Sequence, residues 1–174
     1  MNPIATLHMA NGRNIVIELL PESAPNTVNS FIYTASRGYL DHHAIERIVP
    51  GNWVDVSYTA FGKKECRYLI PNEFELNPDV VPLDSHPGPV CMGGYGEAGL
   101  AGCEFFFPLR DCPDHKGIYP VFGRVLEGMD ELYRLEKVET VPVTDFPIEG
   151  VEVNRPVKPE IIERVELELH GEIY

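Results

Sequence analysis

One charged residue of this sequence lies inside an apolar segment, where its chemistry would be hydrogen-bond donation. Arg47 stands among Ile45, Ile48 and Val49, in a run that is typical of a β-strand. An unpaired charge is costly to bury, so Arg47 must find polar partners if it faces the interior of the protein. The alternative is an arginine at a strand edge, with its apolar stem packed and its guanidinium in water.

The histidines and cysteines form no pattern that indicates a metal site or a disulfide framework. His42 and His43 are adjacent, but neighbouring residues of a strand point to opposite faces, and no Cys or Glu at ligand spacing completes a site. We expect a surface turn at these two residues. The four cysteines lack C-x-x-C spacing, which predicts free, buried thiols. They are Cys66, Cys91, Cys103 and Cys112. The sequence therefore predicts no metal and no cofactor.

Residues 90–108 join two short apolar runs through a loop that contains five glycines and leads into three consecutive phenylalanines. Glycine adopts positive φ without steric cost, so such a loop can bend sharply and allow another chain to approach its backbone. Because successive strand residues alternate between faces, Phe105 and Phe107 share one face and Phe106 takes the other. Phe106 is then either a further core residue or the apolar floor of a groove beside the loop.

Length and composition indicate one soluble globular domain that spans residues 1–174, with 44% hydrophobic and 24% charged residues. The net charge of −13 argues against nucleic acid as a partner and favours a monomer that resists self-association. No apolar run approaches the roughly 18 residues of a membrane helix. The N-terminus has no signal-peptide pattern. We therefore expect no membrane association and a cytoplasmic protein.

A hairpin and two helices are the clearest local elements. Asn11 and Gly12 lie between two strand-like runs, which is a strong signal for a tight β-turn. A first helix is predicted to begin at Ser23 as its N-cap and to end near Gly38, and a second to cover roughly residues 130–137.

About eight strands complete the prediction, and they show no β-α-β alternation. They are residues 4–9, 14–20, 44–50, 53–58, 119–125 and 165–169, and the apolar runs at both ends of the glycine-rich loop. Residues 60–88 and 140–160 are predicted loops. This pattern favours a closed antiparallel barrel with capping helices.

Segments spread over nearly the whole chain occur in an order and spacing that match one protein family. They are residues 18–28 with Phe31, residues 38–41, residues 47–51, residues 72–74, the set His86, Gly88, Met92, Gly102, Phe105 and Phe106, residues 121–130, and residues 155–159. In these segments the chain resembles the cyclophilin-type peptidyl-prolyl isomerases. The resemblance implies a mainly β fold, a closed eight-stranded antiparallel cyclophilin-like barrel capped by two helices.

The reaction that this resemblance implies is rotation about the amide bond that precedes a proline. Its uncatalysed barrier is roughly 18–20 kcal/mol, because rotation destroys the double-bond character of the C–N bond. A catalyst needs no nucleophile and no metal, but it must hold the twisted amide in a dry apolar slot and donate hydrogen bonds that favour it. The partners would be proline-containing peptides and unfolded or flexible protein segments, whose folding the protein would assist.

The resemblance assigns the catalytic role to Arg47, whose guanidinium would contact the prolyl amide. The residues that it assigns to substrate binding are Asn52, Trp53, Asp55, Gly93, Gly94, Glu104, Phe106, His115 and Tyr119.

Several of these positions depart from the family pattern. Asn52 stands for a phenylalanine, Trp53 for a methionine, Asp55 and Glu104 for glutamines, Gly94 for an asparagine, His115 for a leucine, Tyr119 for a histidine, and Asp114 for a tryptophan. The pocket should therefore be wetter and more acidic than in the family, and Asp55 should pair with Arg47 across neighbouring strands. Two functions stay open: a prolyl isomerase with reduced or specialised activity, or a cyclophilin-like module that binds proline peptides without catalysis.

Overall fold

The computed structural model describes residues 1–56 and 63–174, and most of its strands belong to one curled antiparallel sheet. The ten strands of this sheet are β1 (Ile4–Met9), β2 (Asn14–Leu19), β3 (His43–Ala44), β4 (Arg47–Val49), β5 (Trp53–Asp55), β6 (Leu69–Ile70), β7 (Pro89–Gly94), β8 (Leu100–Pro108), β9 (Val121–Glu127) and β12 (Ile161–Glu168). They follow one another in the order β3-β12-β1-β2-β9-β7-β8-β5-β4, and β6 pairs with β8. The strands β10 (Thr140–Pro142) and β11 (Asn154–Pro156) form a separate two-stranded sheet.

The mainly β, antiparallel architecture confirms the predicted fold class, but the prediction of a closed eight-stranded barrel is wrong. The sheet is open, with β3 and β4 at its two edges. The run expected to form one strand over residues 44–50 breaks at Ile45 and Glu46, because Ile45 still donates its backbone N–H to Glu160 beside β12, whereas Arg47–Val49 pair with β5. The chain thus passes from one edge of the sheet to the other.

The core lies inside the curl of the sheet and is closed by the first helix, α1 (Pro25–Ser36). Phe31 of this helix meets Phe105 edge to face, with the ring centres 5.3 Å apart. Phe105 and Phe107 are fully buried in this core, whereas Phe106 belongs to a second, smaller cluster on the other face of β8. The alternation predicted for the three phenylalanines is therefore confirmed. Phe106 lies on the face of the sheet that carries the candidate functional site.

The described residues contain three α-helices instead of the two predicted, because α2 (Glu73–Leu76) adds one turn between β6 and β7, and α3 (Met129–Glu136) follows β9. The N-cap of α1 is Ala24 and not Ser23, and no side chain from its own first turn caps it. The buried carboxylate of Glu73 does so instead, since Oε1 accepts the backbone N–H of Asn26 at 3.1 Å and Oε2 that of Thr27 at 2.9 Å.

Some predicted segments are only partly covered or differ in detail. The strand expected at residues 53–58 is formed at Trp53–Asp55, and residues 57 and 58 lie outside the described residues. Residues 60–62 of the first predicted loop also lie outside the described residues. The second predicted loop contains β10 and β11. His42 is exposed at positive φ, as expected for a turn. His43, in contrast, is a buried residue of β3 whose Nε2 atom lies 2.9 Å from the Val56 carbonyl oxygen in a hydrogen bond. The prediction of a surface turn is therefore wrong for His43.

Two further features concern the whole described chain. The four cysteines are buried, free thiols. Within residues 1–56 and 63–174, none of the helices combines the length and the apolar character that crossing a membrane requires.

Candidate functional site

A cavity of about 310 Å³ opens on the face of the sheet that carries Phe106. All the predicted site residues except Asn52 line it, so the structure brings together residues from β4, β5, β7, β8 and the turn before β9. The cavity is also lined by Tyr95, which follows β7, and by residues of the segment between β10 and β11.

Arg47 and Asp55 form the charged part of the cavity wall. They are directly opposed in the antiparallel pair β4–β5, and Nη1 of Arg47 donates to Oδ2 of Asp55 at 2.9 Å. Nε of Arg47 donates to the backbone carbonyl of Glu152 at 2.8 Å. Both side chains of the ion pair are largely buried, with exposed fractions of 13% and 12%. The arginine therefore has the polar partners that its position in an apolar strand requires, and the guanidinium is held from two sides.

Burial raises the pKa of the Asp55 carboxyl from 3.8 to about 6, and the charge and hydrogen bond of Arg47 offset this effect only in part. The aspartate is thus poised to change its charge at mildly acidic pH. The partner that orients Arg47 is consequently sensitive to pH.

The floor of the cavity is a group of rings around Phe106. The ring centre of Phe106 lies 6.1 Å from that of Trp53 and 5.8 Å from those of both His115 and Tyr119, and the rings meet at steep angles. The Cζ atom of Arg47 lies 5.6 Å from the centre of the Trp53 ring. This arrangement places a cation beside an aromatic slot into which a compact apolar ring could fit.

Two buried polar atoms interrupt this apolar floor. Nε1 of Trp53 and Nδ1 of His115 have no hydrogen-bond partner among the described residues. Burial lowers the pKa of His115, which favours the neutral imidazole. The floor is therefore more polar than an all-hydrocarbon slot, as the substitutions at these positions predict, although it carries no additional positive charge in the neutral form.

The part of the rim formed by β7 and β8 consists of backbone and of an acidic side chain. Gly93 and Gly94 end β7 beside an irregularity in its pairing with β8, and a Cβ atom on Gly93 would come within 3.0 Å of the Glu104 carbonyl oxygen. Glycine here allows the two strands, and any ligand, to approach closely. The hydroxyl of Tyr95 lies 2.9 Å from each carboxylate oxygen of Glu104, which fixes the acidic group at this rim.

The structure does not bring Asn52 into the cavity, contrary to the prediction. Its side-chain oxygen accepts a hydrogen bond from Nε of Arg110 at 2.6 Å, and its backbone carbonyl accepts one from Leu109 at 2.7 Å. Both interactions direct Asn52 towards the turn that follows β8. A phenylalanine at this position could not form the first bond.

Sequence reasoning missed four lining residues, Tyr95, Phe146, Ile148 and Val151. The last three lie within residues 140–160, which the sequence analysis predicts to be a loop. A signal was present, since Phe146 and Ile148 flank Pro147 and are the two largest apolar side chains of residues 140–160.

No group of three or more His, Cys, Asp or Glu side chains within the described ranges is arranged to hold a metal ion. The cavity itself presents a guanidinium, an aromatic slot and close-lying backbone.

Comparison with known proteins agrees with this geometry. The family model described as cyclophilin type peptidyl-prolyl cis-trans isomerase/CLD matches residues 4–166. The chain therefore belongs to the cyclophilin-type peptidyl-prolyl cis-trans isomerase family.

Individual relatives show how much of each protein is shared. The chain is 30% identical over 153 residues to peptidyl-prolyl cis-trans isomerase-like 1 of Gibberella zeae, covering 88% of this chain and 91% of that one. It is also 30% identical over 152 residues to peptidylprolyl isomerase domain and WD repeat-containing protein 1 of Mus musculus, but it spans only 23% of that protein's length.

Solved structures agree in fold. The crystal structure of a Cryptosporidium parvum cyclophilin type peptidyl-prolyl cis-trans isomerase superposes with a TM-score of 0.75 at 19% identity, covering 97% of this chain and 98% of that one. A second structure, of that protein in the presence of the dipeptide Ala-Pro, gives a TM-score of 0.73 at 19% identity and covers 95% and 98%.

Proposed function

We propose that this protein is a peptidyl-prolyl cis-trans isomerase that acts on X-Pro bonds in peptides and in unfolded or flexible protein segments. The observation that carries the proposal is the position of Arg47, whose guanidinium lies in the wall of the cavity beside the aromatic floor formed by Phe106 and Trp53. The Ala-Pro dipeptide used with the Cryptosporidium parvum relative supports a proline-containing ligand.

The proposed catalysis is electrostatic. In a planar amide the nitrogen lone pair is delocalised, and twisting the bond returns that pair to the nitrogen, where it can accept a hydrogen bond. A donor that contacts the prolyl nitrogen therefore stabilises the twisted state more than either planar isomer. A hydrogen bond from a charged donor contributes about 1.5–3 kcal/mol, which corresponds to roughly 10- to 150-fold in rate.

The remaining contributions come from the rest of the cavity. The rings around Phe106 would hold the proline away from water, where hydrogen bonds to the amide are stronger. The backbone at Gly93 and Gly94 can approach an extended peptide closely, because no side chain intervenes. Asp55 and the Glu152 carbonyl hold the guanidinium in one orientation, so less of its freedom is lost when substrate binds.

A second function, binding of proline peptides without catalysis, is favoured by the same Arg47–Asp55 bond. The carboxylate draws N–H groups of the guanidinium away from the substrate and offsets its positive charge. If these effects dominate, the cavity binds proline peptides while its arginine contributes little to rotation.

Comparison of Arg47→Ala with wild type separates the two functions. A protease-coupled isomerisation assay and a calorimetric titration with the same X-Pro peptide should show that Arg47→Ala loses about 10- to 150-fold in kcat/KM while it still binds peptide. Arg164→Ala is the matched control, since Arg164 is half-exposed on β12 and pairs with Glu166. Wild-type protein that binds the peptide without accelerating isomerisation would support the binding module instead.

The remaining features of the proposal follow from composition. Residues 1–174 are proposed to act as one domain and as a monomer, because a net charge of −13 disfavours self-association. The proposed compartment is the cytoplasm.

A further inference from the structure

The segment between β10 and β11, residues 143–153, lies across the edge of the sheet next to the cavity, and we call it the strap. Its two ends are tied together, since Val143 donates its backbone N–H to the Val153 carbonyl at 2.8 Å. It is tied to β4 as well, because its Glu152 carbonyl accepts from Nε of Arg47 at 2.8 Å, and Nδ2 of the adjoining Asn154 donates to the Ile48 carbonyl at 3.1 Å. The strap thus covers an edge strand whose carbonyl groups would otherwise face solvent.

The side chains that the strap contributes to the cavity are all apolar. Phe146, Ile148 and Val151 line it. Ile148 is 47% exposed, so the fold gains little from its burial. Apolar surface on a cavity wall becomes favourable when a ligand covers it.

The other walls of the cavity differ from the strap in charge. Glu104 stands at the rim formed by β7 and β8, and Asp55 lies beside Arg47. The strap contacts this ion pair through the Glu152 carbonyl, which accepts a hydrogen bond from Nε of Arg47. A peptide that fills the aromatic slot therefore has the apolar side chains of the strap near the arginine and a carboxylate, Glu104, elsewhere in the cavity lining.

We propose that the strap selects among prolyl peptides, favouring those with a large apolar residue next to the proline and disfavouring those with an acidic one. The inference rests on the proposed function, in that the cavity must bind the prolyl peptide. An apolar neighbour would cover Phe146 and Ile148, whereas an acidic neighbour would gain nothing from the strap and would be repelled by the Glu104 carboxylate at the rim.

Peptides that differ only beside the proline test this selection. Two series, one varied before the proline and one after it, each carry Phe, Ala or Glu at the varied position. For wild-type protein we expect kcat/KM and the calorimetric affinity to be about tenfold higher for Phe than for Ala in at least one series, with Glu the poorest.

Substitutions in the strap should reduce the selection between peptides. Phe146→Ala and Ile148→Ser should reduce the ratio of Phe to Ala peptides to within about threefold. Val157→Ser is the matched control, because Val157 is exposed to the same 47% but does not line the cavity, and it should keep the wild-type ratio.

If kcat/KM and the affinity of wild-type protein were equal for all the peptides, the inference would be overturned, even if isomerisation depends on Arg47. A uniform rise in rate for every peptide in Phe146→Ala would also overturn it, since the strap would then be a cover over the site. A strap-dependent preference in affinity, without any isomerisation, would support the inference while contradicting the proposed function.

Discussion

Arg47 and Asp55 occupy directly opposed positions of β4 and β5 and are joined by a bond of 2.9 Å between Nη1 and Oδ2. A carboxylate binds a guanidinium about twice as strongly as a neutral amide does. The pair fixes the orientation of the arginine, but it also offsets the charge that would act on a twisted prolyl amide. We expect the second effect to dominate, because the proposed catalysis depends on a few hydrogen-bond donors.

Asp55→Gln should therefore raise kcat/KM about tenfold, equivalent to some 1.4 kcal/mol of transition-state stabilisation. The amide keeps a hydrogen-bond acceptor for Arg47 but removes the negative charge. In an Arg47→Ala background the same substitution should have no effect on the rate. An unchanged or lower rate in the single variant would contradict the proposed competition between Asp55 and the substrate.

The pH dependence of stability provides a second test of this pair. Burial raises the pKa of Asp55 from 3.8 to about 6, and the effect of Arg47 opposes this shift only in part. Between about pH 4 and pH 6 the folded protein therefore retains a proton on Asp55 that the unfolded chain has released. The folded state binds more protons there, and stability is lost as the pH rises through this window.

Urea unfolding of wild type and Asp55→Asn at several pH values measures this effect. The free energy of unfolding of wild type minus that of Asp55→Asn should fall from about pH 4 to pH 6 and then level off, since Asn does not titrate. A difference that rises with pH, or does not change, would mean that the pKa of Asp55 is not raised in the folded protein.

Sequence patterns were sufficient for the elements whose contacts are local. Alternation placed Phe106 on the opposite face from Phe105 and Phe107, and the resemblance placed Asp55 opposite Arg47. Closure of the sheet was not predictable, because it depends on whether Ile45 bonds across to Glu160 or continues the ladder of β4. The hydrogen bond from Arg110 to Asn52 and the position of the strap over β4 likewise depend on contacts between residues distant in sequence.

The cap of α1 is a further long-range contact, and it leads to a stability prediction. Glu73→Ala should lower the free energy of unfolding by about 1–3 kcal/mol, because the backbone N–H groups of Asn26 and Thr27 lose a charged acceptor in a buried setting. Glu75→Ala, in the same short helix but exposed, should change it by less than about 0.5 kcal/mol. Equal effects of the two substitutions in urea unfolding would contradict this role of Glu73.

The substitution His115→Leu should make the floor of the cavity more apolar. The substitution removes a buried Nδ1 that has no partner among the described residues, and leucine provides apolar surface of similar size against Phe106 and Tyr119. We expect the free energy of unfolding to rise by about 1 kcal/mol and prolyl peptides to bind several-fold more tightly in a calorimetric titration. Weaker binding would show instead that the imidazole contributes a specific interaction to the ligand.

The central claim is that the cavity accelerates rotation about the X-Pro bond through Arg47, and exchange spectroscopy of a peptide at equilibrium tests it most directly. Catalytic amounts of wild-type protein should raise the cis-to-trans and trans-to-cis rates of an X-Pro peptide by the same factor and leave the populations of the two isomers unchanged. Arg47→Ala should lose about 10- to 150-fold of this acceleration. Exchange rates that stay at the uncatalysed value with wild-type protein, or that are equal for wild type and Arg47→Ala, would contradict the account.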